Sequence, residues 1–359
     1  MDKFILVGCD LHDKNMVLKL ALNREVVHSR TFANDSVGRA SMVQELRKHA
    51  HIAGEARIVV AYEASSLGFF LRDFLEAQAI VCHVFAPSKI ARSPKQRRCK
   101  TDAKDAEALL EILRGHYLAG NKLPAIWIPD ELTRDHRELV RARLDAQDKC
   151  SAVKTQIRTF IKRQKDLKDQ APRGGWTLPL RAWLKTLAEC GQPLGLCARQ
   201  ALASLLRQNE SLEREIVLLD AQLAALAEHE RYRPSVTQLK KLKGVGVLSA
   251  LVFLVEMGSL TRFANRRKLG AFIGLVPDSD ESGEDDDHKG HITHQGPARV
   301  RYVLCQAVWN RVRHDPQERL FYQRLVAKNP KRKKIAVVAS MRRLAIKMWH
   351  TCLAAQSAA

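Results

Sequence analysis

The sequence predicts an α/β domain at the N-terminus followed by a largely helical remainder. Three observations carry that expectation. Residues 1 to about 120 alternate short β-rich runs with helical stretches. Two long, almost uninterrupted helical patterns follow, and from Val236 onward the apolar spacing stays helical with tight glycine turns between segments.

The opening run "KFILVGCDL" is β-rich, and "MVLKLALN" and "EVVHSRTF" follow it across small polar breaks, which reads as an antiparallel meander. "GRASMVQELRKHA" is helical, "ARIVVAYEA" is a buried strand, "LGFFLRDFLEAQ" is helical again and "AIVCHVFAP" is a further strand. A helix beginning at Asp102 closes the order βββαβαβα, an α/β sheet with helices on its faces.

Proline and charge in "GNKLPAIWIPDEL" mark a change of domain. One long helix is expected from Glu131 to about Gln164, and residues 165 to 200 read as irregular around "APRGGWTLP" and "GQPLGL". A second long helix is expected from Ala201 to about Glu230. Its residues Leu202, Leu205, Asn209, Leu212, Ile216, Leu219, Leu223 and Leu226 form a heptad seam. That seam fits either an intermolecular coiled coil, with Asn209 fixing register, or packing against the earlier helix of the same chain; the first reading is favoured. Residues 1–120, 121–232 and 233–359 are thus the expected domains. The last opens with "LKKLKGVGVLSA", which has the form of a helix-hairpin-helix.

Composition narrows the partners. Sixty Lys and Arg stand against 39 Asp and Glu, a formal net charge of +21, which points to a polyanion such as nucleic acid. No apolar run approaches the ~20 residues that span a bilayer, and "MDKFILVGCD" is too short in apolar residues for a signal peptide. The eight cysteines form no CxxC pair, so they read as thiols of a reduced, cytoplasmic protein.

Four acids suggest chemistry. Asp10 ends the first strand and Glu63 the fourth; Asp102 and Asp105 open the next helix, three apart and on one face. Each alone has an ordinary explanation: Asp102 as a helix N-cap, Asp105 as a first-turn acid, Asp10 and Glu63 as loop residues. Together they would repel unless a divalent cation lay among them, and hard oxygen donors suit Mg²⁺ or Mn²⁺. In a basic protein such a site points to a phosphodiester.

With "VGCDLHDK", "VVAYEAS" and "KTDAKDAEALL", the order Asp10, Glu63, Asp102, Asp105 resembles the DEDD transposases of the insertion sequence 110 family and its 1111 branch. The resemblance covers nearly the whole chain. It implies an RNase H-like N-terminal domain of the RuvC type, with all four acids as metal ligands. It also places the family's nucleophilic serine on Ser282 within "GLVPDSDESGEDD", although this loop is unusually acidic and Ser279 competes. Attack by Ser282 on phosphorus would conserve the phosphodiester energy in a covalent enzyme–DNA link, through the 5′ phosphate, until a DNA hydroxyl releases it.

The nucleic-acid-binding candidates are Lys95, Arg97, Arg98 and Lys100; Lys240, Lys241, Lys243, Gly244 and Gly246 at the glycine turn; Arg299 and Arg301; and Lys331, Arg332, Lys333 and Lys334. All could instead be solvated faces. Gly296 is expected to permit a tight turn. Expected partners are donor and target double-stranded DNA, a structured non-coding guide RNA implied by the family, and further copies of the chain in a dimer or tetramer. Such an assembly could let one chain's Ser282 complete another's metal site. The alternatives are a RuvC-type, Mg²⁺-dependent junction endonuclease and a non-catalytic DNA-binding protein.

Overall fold

Five strands form the sheet that carries the N-terminal acids, in the order β3-β2-β1-β4-β5. The computed structural model describes residues 3–90, 101–164, 167–190, 193–279, 289–327 and 329–357. It divides into two compact units, Met1–Ile128 and Pro129–Ala359.

In the first unit β1 (Phe4–Leu11), β2 (Asn15–Leu22) and β3 (Glu25–Ala33) form the expected antiparallel meander. β4 (Arg57–Glu63) and β5 (Val81–Phe85) then add in parallel on the other side of β1. Helices α1 (Ser36–Ile52), α2 (Phe70–Ala77) and α3 (Asp102–Ala119) complete it. Strand alternation sorts the side chains into two cores. Ile5, Val7, Cys9, Val60 and Tyr62 pack with Leu46 and Leu71 on one face. Phe4, Leu6, Val59 and Ala61 pack with Leu109, Leu110 and Leu113 of α3 on the other. The segment after α3 returns to the sheet, where Ile126 N–H donates to the Val84 carbonyl at 2.9 Å.

The second unit is helical apart from a two-stranded ribbon. Its longest elements are α4 (Glu131–Arg163) and α7 (Leu196–Ala227), flanking α5 (Leu167–Gln170) and α6 (Leu178–Glu189). The region expected to be irregular therefore contains a 12-residue helix between its two loop signals, started by Thr177, whose side chain caps Leu180 N–H. The heptad seam is filled from within the chain. Leu202 and Leu206 share a core with Val153 and Ile157 of α4, while Leu223 meets Val140 and Leu144. Asn209 accepts a hydrogen bond from the Cys150 thiol at 3.6 Å, and Arg143 grips Asp220 at 2.7 and 3.1 Å. The pairs 143–220 and 150–209 run in opposite chain directions and make an antiparallel hairpin, the second of the two readings of the seam. Leu205, Leu212, Ile216 and Leu226 of the seam stay partly exposed.

Helices α8 (Arg233–Leu239), α9 (Val247–Met257), α10 (Arg266–Ile273), α11 (Ala298–His314), α12 (Pro316–Ala327) and α13 (Lys333–Ser357) follow. Their core is continuous with the base of the hairpin, since Val140, Leu144, Leu223 and Ala227 belong to the same cluster as Leu251, Phe253 and Leu304. Buried Glu256 receives Arg141 through two bonds of 2.8 and 3.1 Å, and Arg137 donates to the carbonyls of Val255 and Glu256. The Arg137 bonds satisfy carbonyls that the end of α9 leaves open. Strands β6 (Pro277–Ser279) and β7 (Lys289–Ile292) pair antiparallel.

Candidate metal centre and its surroundings

The N-terminal acids meet because a strand and a helix touch backbone to backbone. Gly8 lies on the α3 face of β1, and a Cβ there would fall 1.9 Å from the Ala106 carbonyl oxygen and 2.6 Å from the Leu110 nitrogen. Only glycine permits that approach. Two residues on, alternation returns Asp10 to the same face. Glu63 follows Val59 and Ala61 on the matching face of β4, one residue past the last pair, Cys9–Tyr62. Thr101 caps α3 by accepting from Lys104 N–H, so the capping role open to Asp102 in the sequence belongs to its neighbour. Asp102 and Asp105 occupy the first turn.

One residue absent from the sequence-based candidates joins them. His12 Nε2 lies 3.1 Å from Asp10 Oδ2 and 3.3 Å from Asp102 Oδ1. Asp10, His12 and Asp102 each bring a ligand atom within 4.8 Å of the others. Glu63 and Asp105 stand outside this tightest group among the described residues. Asp105 is itself buried and acts on Asp10 electrostatically. Burial pushes the Asp10 carboxyl above its ordinary range, Asp105 and Asp102 add to the rise, and His12 opposes it. The sequence signal for His12 was its i+2 spacing from Asp10, which puts both on one side of an extended chain.

The donor set suits a divalent ion. Carboxylates from a strand and a helix converge on a point where His12 now supplies the only nitrogen among the three close donors. Carboxylate oxygens match hard cations, and an imidazole is a ligand Mn²⁺ accepts more readily than Mg²⁺ does.

The remaining candidates are dispersed. Ser282, Lys95, Arg97, Arg98 and Lys100 lie outside the described residues; Ser282 falls between β6 and β7. Around the glycine turn between α8 and α9, Lys240, Lys241, Lys243 and Gly246 are exposed. Gly244 has φ +81° and no room for a side chain, because a Cβ would meet the Ala307 carbonyl oxygen at 2.8 Å. Arg299 pairs with Asp145 at 3.0 Å. Arg301 is partly buried and donates to the carbonyls of Ile273, Gln295 and Gly296, which gives it a structural task. Gly296, at φ +74°, sits where a Cβ would strike the Phe272 carbonyl oxygen at 1.7 Å. Lys331, Arg332, Lys333 and Lys334 are all exposed at the start of α13. None of the described helices is long and apolar enough to cross a membrane.

Comparison with known proteins agrees with this arrangement. The IS110-type DEDD transposase model matches residues 7–164, and the model described as Transposase IS116/IS110/IS902 family matches residues 236–323. Two Sinorhizobium fredii proteins that carry a transposase name, y4qE and y4rJ, are 29% and 28% identical over 77% and 88% of this chain. The matched region spans 63% of the first and 83% of the second. The transposase for insertion sequence element IS1533 of Leptospira borgpetersenii is 24% identical over 86% of each chain. With both family models matched in chain order, this chain belongs to the IS110 family of DEDD transposases.

Proposed function

We propose that this chain cuts and rejoins DNA as the transposase of an insertion element, with a divalent metal ion, Mg²⁺ in the first instance, held by Asp10, Glu63, Asp102 and Asp105. The observation that carries this reading is the approach of Asp10 and Asp102 to within a cation's reach, from a strand and a helix locked together at Gly8. A bound ion would orient the phosphodiester oxygens and stabilise their charge.

Ser282 is the proposed nucleophile. Its Oγ attacks phosphorus and gives up its proton to solvent; the P–O3′ bond breaks, and the leaving O3′ takes a proton from solvent to become a free 3′-hydroxyl, with the 5′ phosphate on serine. A DNA hydroxyl then attacks the same phosphorus and restores the serine. The three working parts are residues 1–120, 121–232 and 233–359, the last using the turn at 240–246 as a helix-hairpin-helix for phosphate contact. A structured RNA guide, and an assembly in which Ser282 of one chain serves the acids of another, complete the proposal. The exposed Val217 and Leu218 on α7 are a surface on which such an assembly could form.

Trapping tests it. Protein, element-end DNA and the element's own RNA are incubated with Mg²⁺ and resolved in denaturant. A protein–DNA adduct that disappears in Ser282→Ala and in Asp102→Ala is expected. Cleavage that survives Ser282→Ala without an adduct would instead assign attack to water, as in a junction nuclease. Mixing the two variants reads the assembly: recovered adduct means a site shared between chains, and an inert mixture means it is not shared.

A further inference from the structure

We infer that the exposed stripe of α11 is a binding face for unpaired DNA bases, with Trp309 and Tyr302 as stacking platforms. The inference rests on the reading that this chain handles DNA, and it assigns a part of the surface that the metal centre and the basic clusters leave unexplained.

Helix α11 buries Val300, Val303, Leu304, Ala307 and Val308 and turns Tyr302, Gln306, Trp309, Asn310 and Arg313 outward. Their 4-3-1-3 spacing is one continuous helical stripe. Tyr302 and Trp309 remain 44% and 40% exposed. They lie about 10 Å apart along the axis, from seven residues at ~1.5 Å each. Trp309 is braced at 5.8 Å by the Tyr322 ring of α12 in an edge-on arrangement, which fixes its orientation without covering it. Beside it runs an open groove of about 440 Å³ lined by Gln306, Trp309, Asn310, Arg313 and His314.

Each group suits an unpaired nucleotide. Aromatic faces stack on any base, amides of Gln306 and Asn310 offer donors and acceptors to base edges, and Arg313 offers charge to a phosphate. The surrounding charge excludes an acidic protein as host for a basic partner. Residues 289–359 contain 15 Lys and Arg and two acids, Asp315 and Glu318. Both acids are turned to the buried Arg311, at 3.6 and 2.7 Å, and although Glu318 also reaches Arg343 and Arg299 pairs with Asp145, cations far outnumber acids at this surface. A polyanion complements that field, and the membership of this chain among transposases makes DNA the polyanion. Duplex DNA hides its base faces, so exposed rings act on strands that are open, as at a cut end.

The test uses the full chain and one sequence of about 15 nucleotides as single-stranded DNA, duplex DNA and single-stranded RNA, each fluorescently labelled. Trp309→Ala is expected to weaken single-stranded DNA binding about 10-fold, the scale of one lost stack, while duplex affinity stays within about twofold of wild type. Trp309→Phe, which keeps a ring, should restore most of the loss; Tyr302→Ala should show a smaller loss with the same strand preference. Equal losses on single strand and duplex, or an unchanged single-strand affinity in both alanine variants, would overturn the inference while leaving DNA handling intact. RNA bound more tightly than DNA through the same ring overturns the choice of DNA. A fall in sedimenting mass on Trp309→Ala overturns it in favour of a self-association face. A wild-type chain that binds neither form of DNA overturns this inference and the reading beneath it together.

Discussion

The two units place their charge in opposite ways. In the first, acids gather at one edge of a sheet, on backbone that a strand–helix contact at Gly8 leaves little room to move. In the second, cations spread over helix surfaces, and its most basic stretch offers aromatic rings as well. Like charges held close raise each other's cost of ionising, and a fixed opposite charge relieves it. Dispersed cations instead meet a long anion at many points, each contributing little. Geometry should therefore dominate the first unit and number the second.

The largest expected effect tests that contrast directly. Asp102→Ala should lower strand cleavage by about 1,000-fold or more, the scale of a lost metal-bound catalytic arrangement. DNA affinity should change by less than a few-fold. The reverse pattern is expected on replacing Lys331, Arg332, Lys333 and Lys334 together by Gln: weaker binding, and a shallower dependence of log K on log salt by ~0.9 for each phosphate contact removed. Cleavage at saturating protein should then be nearly unchanged. Single-turnover rates and salt titrations separate the two; a cleavage defect of equal size in both variants would erase the distinction.

A smaller effect should follow from adding one methyl group. Gly8→Ala sets a Cβ against the Ala106 carbonyl, which is backbone and can yield only if α3 moves. Overpacking of this kind costs about 1–3 kcal/mol, and the displacement would carry Asp102 and Asp105 away from Asp10. Lower melting temperature with reduced cleavage is the expected pair of results. Gly175→Ala is the control, because its added Cβ meets nothing within 4 Å. If both substitutions prove silent, the strand–helix contact does not hold the acids.

The contrast also explains what the residues foretold. Strand-ending acids were legible because the unbroken apolar runs in "FILVGCDL" and "RIVVAYE" lead directly to Asp10 and Glu63, and helix period links Asp102 to Asp105. What brings those two strand ends side by side is the parallel pairing of β1 with β4, which no local pattern announces. His12 escaped notice because its meaning depends on Asp102, 90 residues away, and no local pattern encodes that distance. The heptad seam gave its buried face correctly but not its partner, since leucines fit a second chain or the preceding helix equally well. Within one chain the nearer partner carries the smaller entropic cost of association, and α4 took the place. Residues 121–128 also went to the sheet: proline and charge there read as a change of domain, yet Ile126 N–H and the Pro124 carbonyl bond to Val84 and Ala86 at β5.

The subtlest expected effect lies where the hairpin begins. Asp130 caps α4 by accepting from Thr133 N–H at 2.8 Å, and Arg231 grips both its oxygens at 3.0 and 2.6 Å. The Arg231 hydrogen bonds, with the Thr133 bonds helping, hold the Asp130 carboxyl well below its usual range. A carboxylate depressed in the folded state lends stability that is fully present above its unfolded pKa of ~3.9 and lost as pH falls toward the folded value. The side chain is half exposed, so solvent and salt screen the pair and the gain is about 1 kcal/mol or less. Asp130→Asn keeps a capping oxygen but removes the charge. Urea unfolding should therefore show the variant less stable at pH 7, with the gap narrowing below pH 4 as the wild-type carboxylate protonates. A gap that stays constant down to pH 2 would mean that the cap, and not the ion pair, holds this end of the hairpin; added salt should shrink the pH 7 gap only if the charge is responsible.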